Sequence, residues 1–224
     1  MTETVIFPPD WNQIDTVLLD MDGTLLDKSF DDHFWEEYVP SRYAEQFGVS
    51  EKEARDKLLS LYRSQEETLN WTSLDYWTEQ LGLDILDLKR QVDHLITVHP
   101  FVVGFLDRVR EAGKKVYLVT NAHGKTLDLK MGKTALAGKF DGITTAHDIG
   151  MPKEEPGFWR ELRRKVPFDP ERTLLGEDTE AVLISARRFG IRFLVFVSNS
   201  SSAKPPRGSD SFFSIERFVE IMPE

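Results

Sequence analysis

The sequence predicts an α/β fold in which helices flank a parallel β-sheet and a second, all-helical domain is inserted. Three observations support this fold class. Short apolar runs alternate with segments of helical periodicity, which is typical of a parallel sheet with helices on both faces. The first run, Ile14 to Asp20, is apolar and ends in an acid, as expected for a central strand buried on both faces. No run between Lys28 and Val98 resembles a strand.

The predicted core elements follow one another along the chain. Five runs have the composition of buried strands: Ile14 to Asp20, Lys115 to Thr120, Gly142 to Thr145, Arg172 to Gly176 and Arg192 to Val197. Apolar residues at helical spacing, with proline or glycine near the ends, predict three helices: Val102 to Ala112, Pro156 to Val166 and Thr179 to Phe189.

Residues 28–98 carry only helical patterns, in the segments Phe34 to Phe47, Ser50 to Ser64, Ser73 to Leu81 and Asp84 to Ile96. We therefore predict a catalytic core formed by residues 1–27 and 99–224, and an all-helical cap formed by residues 28–98. Because the cap begins just after the first strand, it should lie over the carboxyl end of that strand, where open α/β sheets bind ligands.

Composition limits the function classes that fit this chain. It has 224 residues, a formal net charge of -10 and no cysteine. The acidic balance argues against a nucleic-acid polymer as a partner, because such binding relies on basic surfaces. The apolar runs are too short to span a membrane, the first residues lack the pattern of a secretory signal, and the absence of cysteine fits a reducing compartment. We expect a cytoplasmic protein with a small-molecule substrate and no membrane partner.

Two aspartates stand at the end of the first predicted strand, in the segment Asp20-Met21-Asp22-Gly23-Thr24. Side chains at positions i and i+2 of an extended chain point the same way, so both carboxylates can face one ligand. The pair suits hydrolysis of a phosphate ester. Asp20 can attack phosphorus to give an acyl phosphate, while Asp22 protonates the leaving oxygen and later activates water. Gly23 allows the chain to turn, and Thr24 can hydrogen-bond within that turn.

Two further motifs at strand ends offer groups that bind phosphate. Thr120-Asn121 closes the second strand and provides a hydroxyl group and backbone amides at the start of a helix. Lys153 precedes another predicted helix, and its ammonium group can neutralise phosphate and keep Asp20 ionised.

A possible Mg²⁺ site combines the first strand with the fourth. Glu177-Asp178 ends the fourth strand. Magnesium prefers hard oxygen ligands and keeps several waters, so Asp20, Asp178 and the main-chain carbonyl of Asp22 suffice to bind it. Glu177 would lie nearby or contact the ion through water.

Each motif also has an ordinary structural explanation when it is taken alone. An acidic pair can belong to a turn, threonine and asparagine cap helices, a lone lysine is commonly a solvated surface residue, and a Glu-Asp pair can cap a helix. Their shared place at the ends of strands favours the catalytic interpretation.

The order DxDGT, TN, K and ED, with each motif at the end of a strand, resembles the haloacid dehalogenase (HAD) superfamily of phosphatases across nearly the whole chain. This resemblance implies a Rossmann-like core, a helical cap between the first two motifs, bound Mg²⁺ and a phosphoaspartate formed on Asp20. The dehalogenases of the superfamily lack the second aspartate, so Asp22 points to phosphate transfer. Glu177-Asp178 resembles the form of the fourth motif found in sugar-phosphate mutases.

Longer segments, among them TNAHGKTLDLKM and HDIGMPKEEPGFW, resemble the bacterial GMP/IMP nucleotidase group of the superfamily. That resemblance implies a purine 5'-nucleotide as the substrate. His123 follows the phosphate loop and His147 precedes Lys153, so either is a further candidate to contact the substrate, although each is more commonly a helix-start or loop residue. Most cap aromatics should be core residues, but a stacking surface for the base can be among them: Trp35, Tyr38, Trp71, Tyr76 and Trp77. The alternatives are a phosphatase or phosphomutase acting on a sugar phosphate, and a binding protein of this fold without turnover.

Overall fold

A single parallel sheet organises the catalytic core. The computed structural model describes residues 8–223, within which the strands are β1 (Thr16–Leu19), β2 (Lys115–Thr120), β3 (Gly142–Thr145), β4 (Thr173–Glu177), β5 (Phe193–Val197) and β6 (Phe213–Ile215). They pair in the order β3-β2-β1-β4-β5-β6, and every neighbouring pair is parallel. This arrangement confirms the predicted α/β class with a Rossmann-like parallel core.

The five predicted strands are present with small shifts at their ends, and β6 was missed. β1 begins at Thr16 instead of Ile14, and β4 extends to Glu177. β6 has three residues and follows a turn-rich stretch, so its sequence carries too little alternation to indicate a strand.

The helices within residues 8–223 alternate with the strands outside the cap. In chain order they are α1 (Ser29–His33), α2 (Val39–Phe47), α3 (Glu51–Arg63), α4 (Leu69–Thr72), α5 (Leu74–Leu81), α6 (Ile85–Gln91), α7 (Val102–Glu111), α8 (Gly124–Lys133), α9 (Ala146–Ile149), α10 (Phe158–Lys165) and α11 (Glu180–Phe189). Short 3₁₀ turns cover Trp11–Gln13, Asp93–Leu95, Pro170–Arg172 and Phe218–Ile221.

The predicted core helices correspond to α7, α10 and α11, whereas α8 and α9 had no predicted bounds. Gly124 and Gly132 lower the helix propensity of α8. α9 has only four residues, which is too short for a periodic pattern. No helix that the structure describes is long and apolar enough to cross a membrane.

The side chains of β1 alternate between two apolar clusters, one on each face of the sheet. Val17 and Leu19 pack in a cluster with Phe105 of α7, whereas Leu18 packs with Trp159 of α10. This alternation follows from the two-residue period of a strand. β1 is therefore a central strand buried on both faces, as the sequence predicted.

The cap has a hydrophobic cluster of its own. Residues 28–98 contain α1 to α6, a π-helical segment at Phe34–Tyr38 and the 3₁₀ turn at Asp93–Leu95. The π-helical segment lies just before Pro40, whose missing N–H interrupts regular α-helical bonding. Every buried residue of this cluster lies between Phe30 and Val92. The division of the chain at residues 28 and 98 stays a prediction.

The register of the sheet brings the ends of β1 and β4 together. Leu19 is level with Gly176, and the amide of Asp20 donates to the Gly176 carbonyl at 3.0 Å. β2 and β3 follow on one side of β1, whereas β4, β5 and β6 follow on the other side, so the strand order reverses at β1. In open α/β sheets such a reversal of strand order opens a crevice where ligands bind.

Candidate active site

Lys153 and Asp20 form the centre of a buried polar group at this edge of the sheet. Lys153 Nζ donates to Asp20 Oδ1 at 2.5 Å, to Glu177 Oε2 at 2.7 Å and to the Val119 carbonyl at 3.2 Å. These contacts use all three protons of the ammonium group. Burial acts to lower the pKa of Lys153, but the charges of Asp20 and Glu177 outweigh it and hold that pKa above its ordinary value. Lys153 therefore stays charged and orients the Asp20 carboxylate.

Three buried carboxylates converge beside this lysine. One oxygen each from Asp20, Glu177 and Asp178 lies within 4.8 Å of the others. Burial raises the pKa of Asp20 and of Glu177, and in Glu177 the nearby Asp20 charge adds to the shift. Burying more negative than positive charge is costly, and a divalent cation bound by hard oxygen ligands would relieve that cost. The residues present therefore fit a metal ion.

The members of the predicted metal site are not equally free to bind an ion. Glu177 already uses Oε2 for Lys153, and its Oε1 accepts from the amides of Asp178 and Thr179, both at 3.1 Å. The Asp22 carboxylate lies outside the acidic cluster, so its main-chain carbonyl is the atom left for a metal. Metal binding by Asp22 and by Glu177 stays a prediction.

Gly23 brings the turn after β1 against Asp178. Its φ angle of +87° lies in the left-handed region that favours glycine. A Cβ atom at this position would stand well under 3.0 Å from the Asp178 carboxylate. The Gly23 amide closes the turn by donating to the Leu26 carbonyl at 2.7 Å. The predicted hydrogen bond from Thr24 within this turn is wrong, because its buried hydroxyl has no partner among residues 8–223.

Asp22 faces a buried lysine that the sequence analysis did not single out. Lys130 Nζ donates to Asp22 Oδ1 at 2.6 Å and to Asp31 Oδ2 at 2.5 Å. Burial raises the pKa of Asp22 to about 6, although the Lys130 charge opposes that shift. A carboxyl group with a pKa near the working pH can both donate and accept a proton, which suits a general acid and base.

Thr120 and Asn121 follow β2 and organise the loops around Lys153. Thr120 Oγ1 accepts from the amide of Ala122 at 3.0 Å. Asn121 Oδ1 accepts from the Lys153 amide at 3.0 Å, and its Nδ2 donates to both carboxylate oxygens of Glu154. The Asn121 side chain therefore holds the loop that carries Lys153. Direct contact of Thr120 or Asn121 with phosphate stays a prediction.

His123 and His147 pack edge to face beside the cap, with ring centroids 4.9 Å apart. His123 Nδ1 accepts from the Lys125 amide at 3.3 Å and caps α8, whereas His147 Nε2 lies 2.9 Å from the Thr72 hydroxyl of the cap. Burial lowers the pKa of both rings. His123 lines the cavity of the site, but its contact with substrate stays a prediction.

A cavity of about 610 Å³ separates the acidic cluster from the cap. The cap contributes four aromatic side chains to its wall: Trp35, Tyr62, Trp71 and Trp77. Trp71 is 39% exposed, whereas Trp77 is 1% exposed and belongs to the cap core. Tyr38 and Tyr76, the other two predicted aromatic candidates, lie outside this wall. Trp71 is therefore the cap aromatic best placed to meet a ligand.

Lys28 is a second lysine of the site that the sequence analysis missed. Its Nζ lies 3.4 Å from Asp178 Oδ2, and the charge of Asp178 raises the pKa of Lys28 despite partial burial. Lys28 also lines the cavity. A lysine one position after an aspartate in a turn has no distinguishing pattern, so only its proximity to Asp178 reveals it.

The fold and the site together define the class of protein. Buried carboxylates follow the central strands β1 and β4, and Lys153 lies among them beneath a helical cap. The predicted place of Lys153 at the end of a strand is wrong, because α9 separates β3 from the loop that carries it. The sequence model of one family, described as haloacid dehalogenase-like hydrolase, matches residues 14–190. The chain belongs to this family, and a 37% identical relative named as a GMP/IMP nucleotidase shows that it is a hydrolase of phosphate monoesters, as the sequence predicted.

Relatives that match the chain over nearly its whole length include a nucleotidase and a pyrophosphatase. The GMP/IMP nucleotidase YrfG of Escherichia coli K12 is 37% identical over 213 residues, which are 95% of this chain and 96% of that protein. The pyrophosphatase PpaX of Bacillus velezensis is 21% identical over 215 residues, which are 94% of this chain and 95% of that protein.

Solved structures share the fold. A HAD phosphatase from Thermococcus onnurineus superposes with a TM-score of 0.79 at 23% identity, covering 93% of this chain and 96% of its own. A putative beta-phosphoglucomutase from Thermotoga maritima has a TM-score of 0.64 at 17% identity, covering 93% of this chain and 97% of its own.

Proposed function

We propose that the chain is a magnesium-dependent phosphatase that hydrolyses purine 5'-nucleotides, above all GMP and IMP, through a phosphoaspartate on Asp20. The observation that carries the chemistry is the Asp20 carboxylate, which a fully buried Lys153 orients within an acidic cluster. The observation that carries the substrate is the 37% identity to a protein named as a GMP/IMP nucleotidase.

The first half of the reaction uses both aspartates of the motif. An oxygen of Asp20 forms a bond to phosphorus while the bond from phosphorus to the ester oxygen breaks. Asp22 gives its proton to the departing ester oxygen, so the nucleoside leaves as a neutral alcohol. The Lys153 contact to Asp20 Oδ1 holds the nucleophile in place during this step.

The second half releases phosphate and restores the enzyme. Asp22, now a carboxylate, accepts a proton from a water molecule as that water attacks phosphorus. The bond between phosphorus and the Asp20 oxygen breaks, which frees phosphate and the Asp20 carboxylate. A pKa of about 6 for Asp22 suits a group that must lose and regain a proton in each cycle.

Magnesium would be held by Asp20 and Asp178, with the Asp22 main-chain carbonyl and Glu177 as further candidates. When bound, it supplies positive charge that offsets the charge of the phosphoryl oxygens. The support for this site is the convergence of three buried carboxylates with hard oxygen atoms.

The cap supplies the surface that distinguishes leaving groups. Trp71 lines the cavity and is partly exposed, and purine bases stack well on aromatic side chains. The motifs around Asp20 contact only the phosphoryl group, so the choice between nucleotide and sugar phosphate depends on the cap and the loops beside it.

The test is a comparison of kcat/KM for IMP, GMP, AMP, UMP and glucose 6-phosphate with Mg²⁺ present, using phosphate release as the readout. We expect IMP and GMP to give the highest values. A site built to pair with their shared 6-oxo edge leaves polar groups unmatched when AMP binds. A higher value for glucose 6-phosphate would overturn the purine assignment and leave the Asp20 chemistry intact. Asp20→Asn serves as the inactive control.

A further inference from the structure

A chain of four buried or half-buried charged groups links Asp22 to the cap. Lys130, on α8 of the core, donates to Asp22 Oδ1 at 2.6 Å and to Asp31 Oδ2 at 2.5 Å. Asp31 belongs to α1 of the cap, and its other oxygen, Oδ1, accepts from Lys89 of α6 at 2.9 Å. These four groups alternate in charge along the order Asp22, Lys130, Asp31, Lys89. Lys130 and Asp31 therefore each lie between two groups of opposite charge.

Aromatic rings of the cap enclose the cationic members of this chain. Lys89 Nζ lies 4.8 Å from the ring centroid of Phe30, 4.3 Å from that of Phe34 and 5.4 Å from that of Trp35. Lys130 Nζ lies 5.3 Å from the Phe30 centroid. Both lysines are 1% exposed. Ion pairs shielded from water in this way are stronger and better fixed in orientation than exposed pairs.

Lys130 does not reach the substrate cavity. Asp22, Asp31 and Lys89 are among the described residues that line the cavity, but Lys130 is not. Its ammonium therefore influences a ligand there only through the carboxylates it contacts. That placement separates Lys130 from Lys153, which lines the cavity and contacts Asp20 directly.

We propose that Lys130 is a positioning residue, which holds the Asp22 carboxyl group in the orientation that proton transfer requires and is itself held by Asp31 of the cap. The proposal rests on the proposed role of Asp22 as general acid and base. If Lys130 has this role, the orientation of the Asp22 carboxyl group depends on the position of the cap relative to the core. The reason is that the Lys130 ammonium contacts both a core carboxylate, Asp22, and a cap carboxylate, Asp31.

A matched control lies one turn along the same helix. Lys133 of α8 pairs with Asp93 of the cap at 2.9 Å, so it also joins core to cap. Neither residue contacts Asp22 or lines the cavity. Lys133→Met therefore removes an ion pair between core and cap and leaves the contact between Lys130 and Asp22 unchanged.

The experiment compares Lys130→Met, Lys133→Met and the parent enzyme on two substrates, p-nitrophenyl phosphate with its good leaving group and IMP with its poor one. We expect K130M to lose about 10²-fold in kcat for IMP, the cost of misplacing a catalytic group by about 1 Å. The loss should be smaller for p-nitrophenyl phosphate, because a good leaving group needs less help from an acid. K133M should show the same ratio of kcat for IMP to kcat for p-nitrophenyl phosphate as the parent enzyme.

A double-mutant cycle with Asp22→Asn separates positioning from other roles. If Lys130 acts through Asp22, K130M should cause no further loss of kcat in the D22N background. Losses that multiply in the double variant, or equal losses on both substrates in K130M, would overturn the proposal. If D22N itself shows no dependence on the leaving group, the proposed function fails instead, so the two failures are distinguishable.

A second variant keeps the test decisive if K130M does not fold. Asp31→Asn retains Lys130 and the size of the side chain, and it weakens the contacts of Asp31 with both Lys130 and Lys89. We expect a smaller loss than in K130M, with the same dependence on the leaving group and again no effect in the D22N background. If D31N has the same kcat as the parent enzyme on both substrates, the proposal that Asp31 of the cap holds Lys130 is contradicted.

Discussion

Gly23 and Asp178 approach each other so closely that a side chain at position 23 would have to displace the Asp178 carboxylate. A Cβ there would stand well under 3.0 Å from the Asp178 carboxylate, and the φ angle of +87° is itself unfavourable for other residues. Gly23→Ala should lower the free energy of unfolding by about 1–2 kcal/mol through the left-handed conformation alone. It should also displace Asp178 and raise the Mg²⁺ concentration needed for half-maximal activity.

Thermal unfolding and a Mg²⁺ titration of activity measure both effects. Gly208→Ala is the control, because a Cβ at Gly208 meets no atom within 4 Å. Equal Mg²⁺ requirements for G23A and G208A would show that the close approach of Gly23 does not set the position of Asp178 for binding the ion.

Asp22→Asn tests the general acid. The substitution should reduce kcat for IMP by roughly 10²- to 10⁴-fold, the usual contribution of a positioned acid or base. The loss should shrink for p-nitrophenyl phosphate, because p-nitrophenolate leaves without protonation. Rates for both substrates come from a continuous phosphate assay, and a uniform loss would argue against proton transfer by Asp22.

Removal of the metal should stop turnover without unfolding the protein. Asp178→Ala should raise the Mg²⁺ requirement for activity, since Asp178 is a buried carboxylate of the cluster. Its two protein contacts are long, 3.4 Å from Oδ2 to Lys28 Nζ and 3.2 Å from Oδ1 to the Thr179 hydroxyl, so an ion can compete with them. Chelator titration with readouts of phosphate release and circular dichroism checks this expectation. Full activity in excess chelator would reject the metal site.

Trp71→Ala tests the surface proposed for the base. Loss of stacking should raise KM for IMP and GMP by roughly 5- to 150-fold, because stacking on an aromatic side chain contributes about 1–3 kcal/mol per base. The KM for p-nitrophenyl phosphate should change much less. Phe47→Ala is the control, an exposed cap aromatic that does not line the cavity. If W71A and F47A change KM for IMP equally, Trp71 does not contact the substrate.

The residues at strand ends were predictable because parallel strands share one polarity. Asp20 and Asp178 each follow an apolar run that forms a central strand, so the sheet brings them together at one edge. Lys153 reaches the same edge from the loop after α9. The sequence also indicated the helical character of residues 28–98, since apolar spacing there is regular.

The site residues that the sequence did not predict acquire their partners only when the cap packs against the core. Lys130 lies 99 residues from Asp31 along the chain, and Lys89 lies 58 residues from it. A lysine on an amphipathic helix is ordinarily solvated, so nothing in its local sequence marks it as buried. Thr24 is a different case, because a threonine in a turn commonly finds a backbone partner, whereas the Thr24 hydroxyl has none within the described part of the chain.

The most direct test of the account is chemical trapping of the acyl phosphate on Asp20. The enzyme is mixed with ³²P-labelled IMP and Mg²⁺, quenched with acid during the first turnover, and reduced with borohydride, which converts phosphoaspartate to homoserine. We predict transient labelling of the protein and homoserine at position 20 by peptide mass spectrometry, with neither signal in Asp20→Asn. Phosphate formed in the first turnover without labelled protein, or homoserine at another position, would contradict the covalent mechanism.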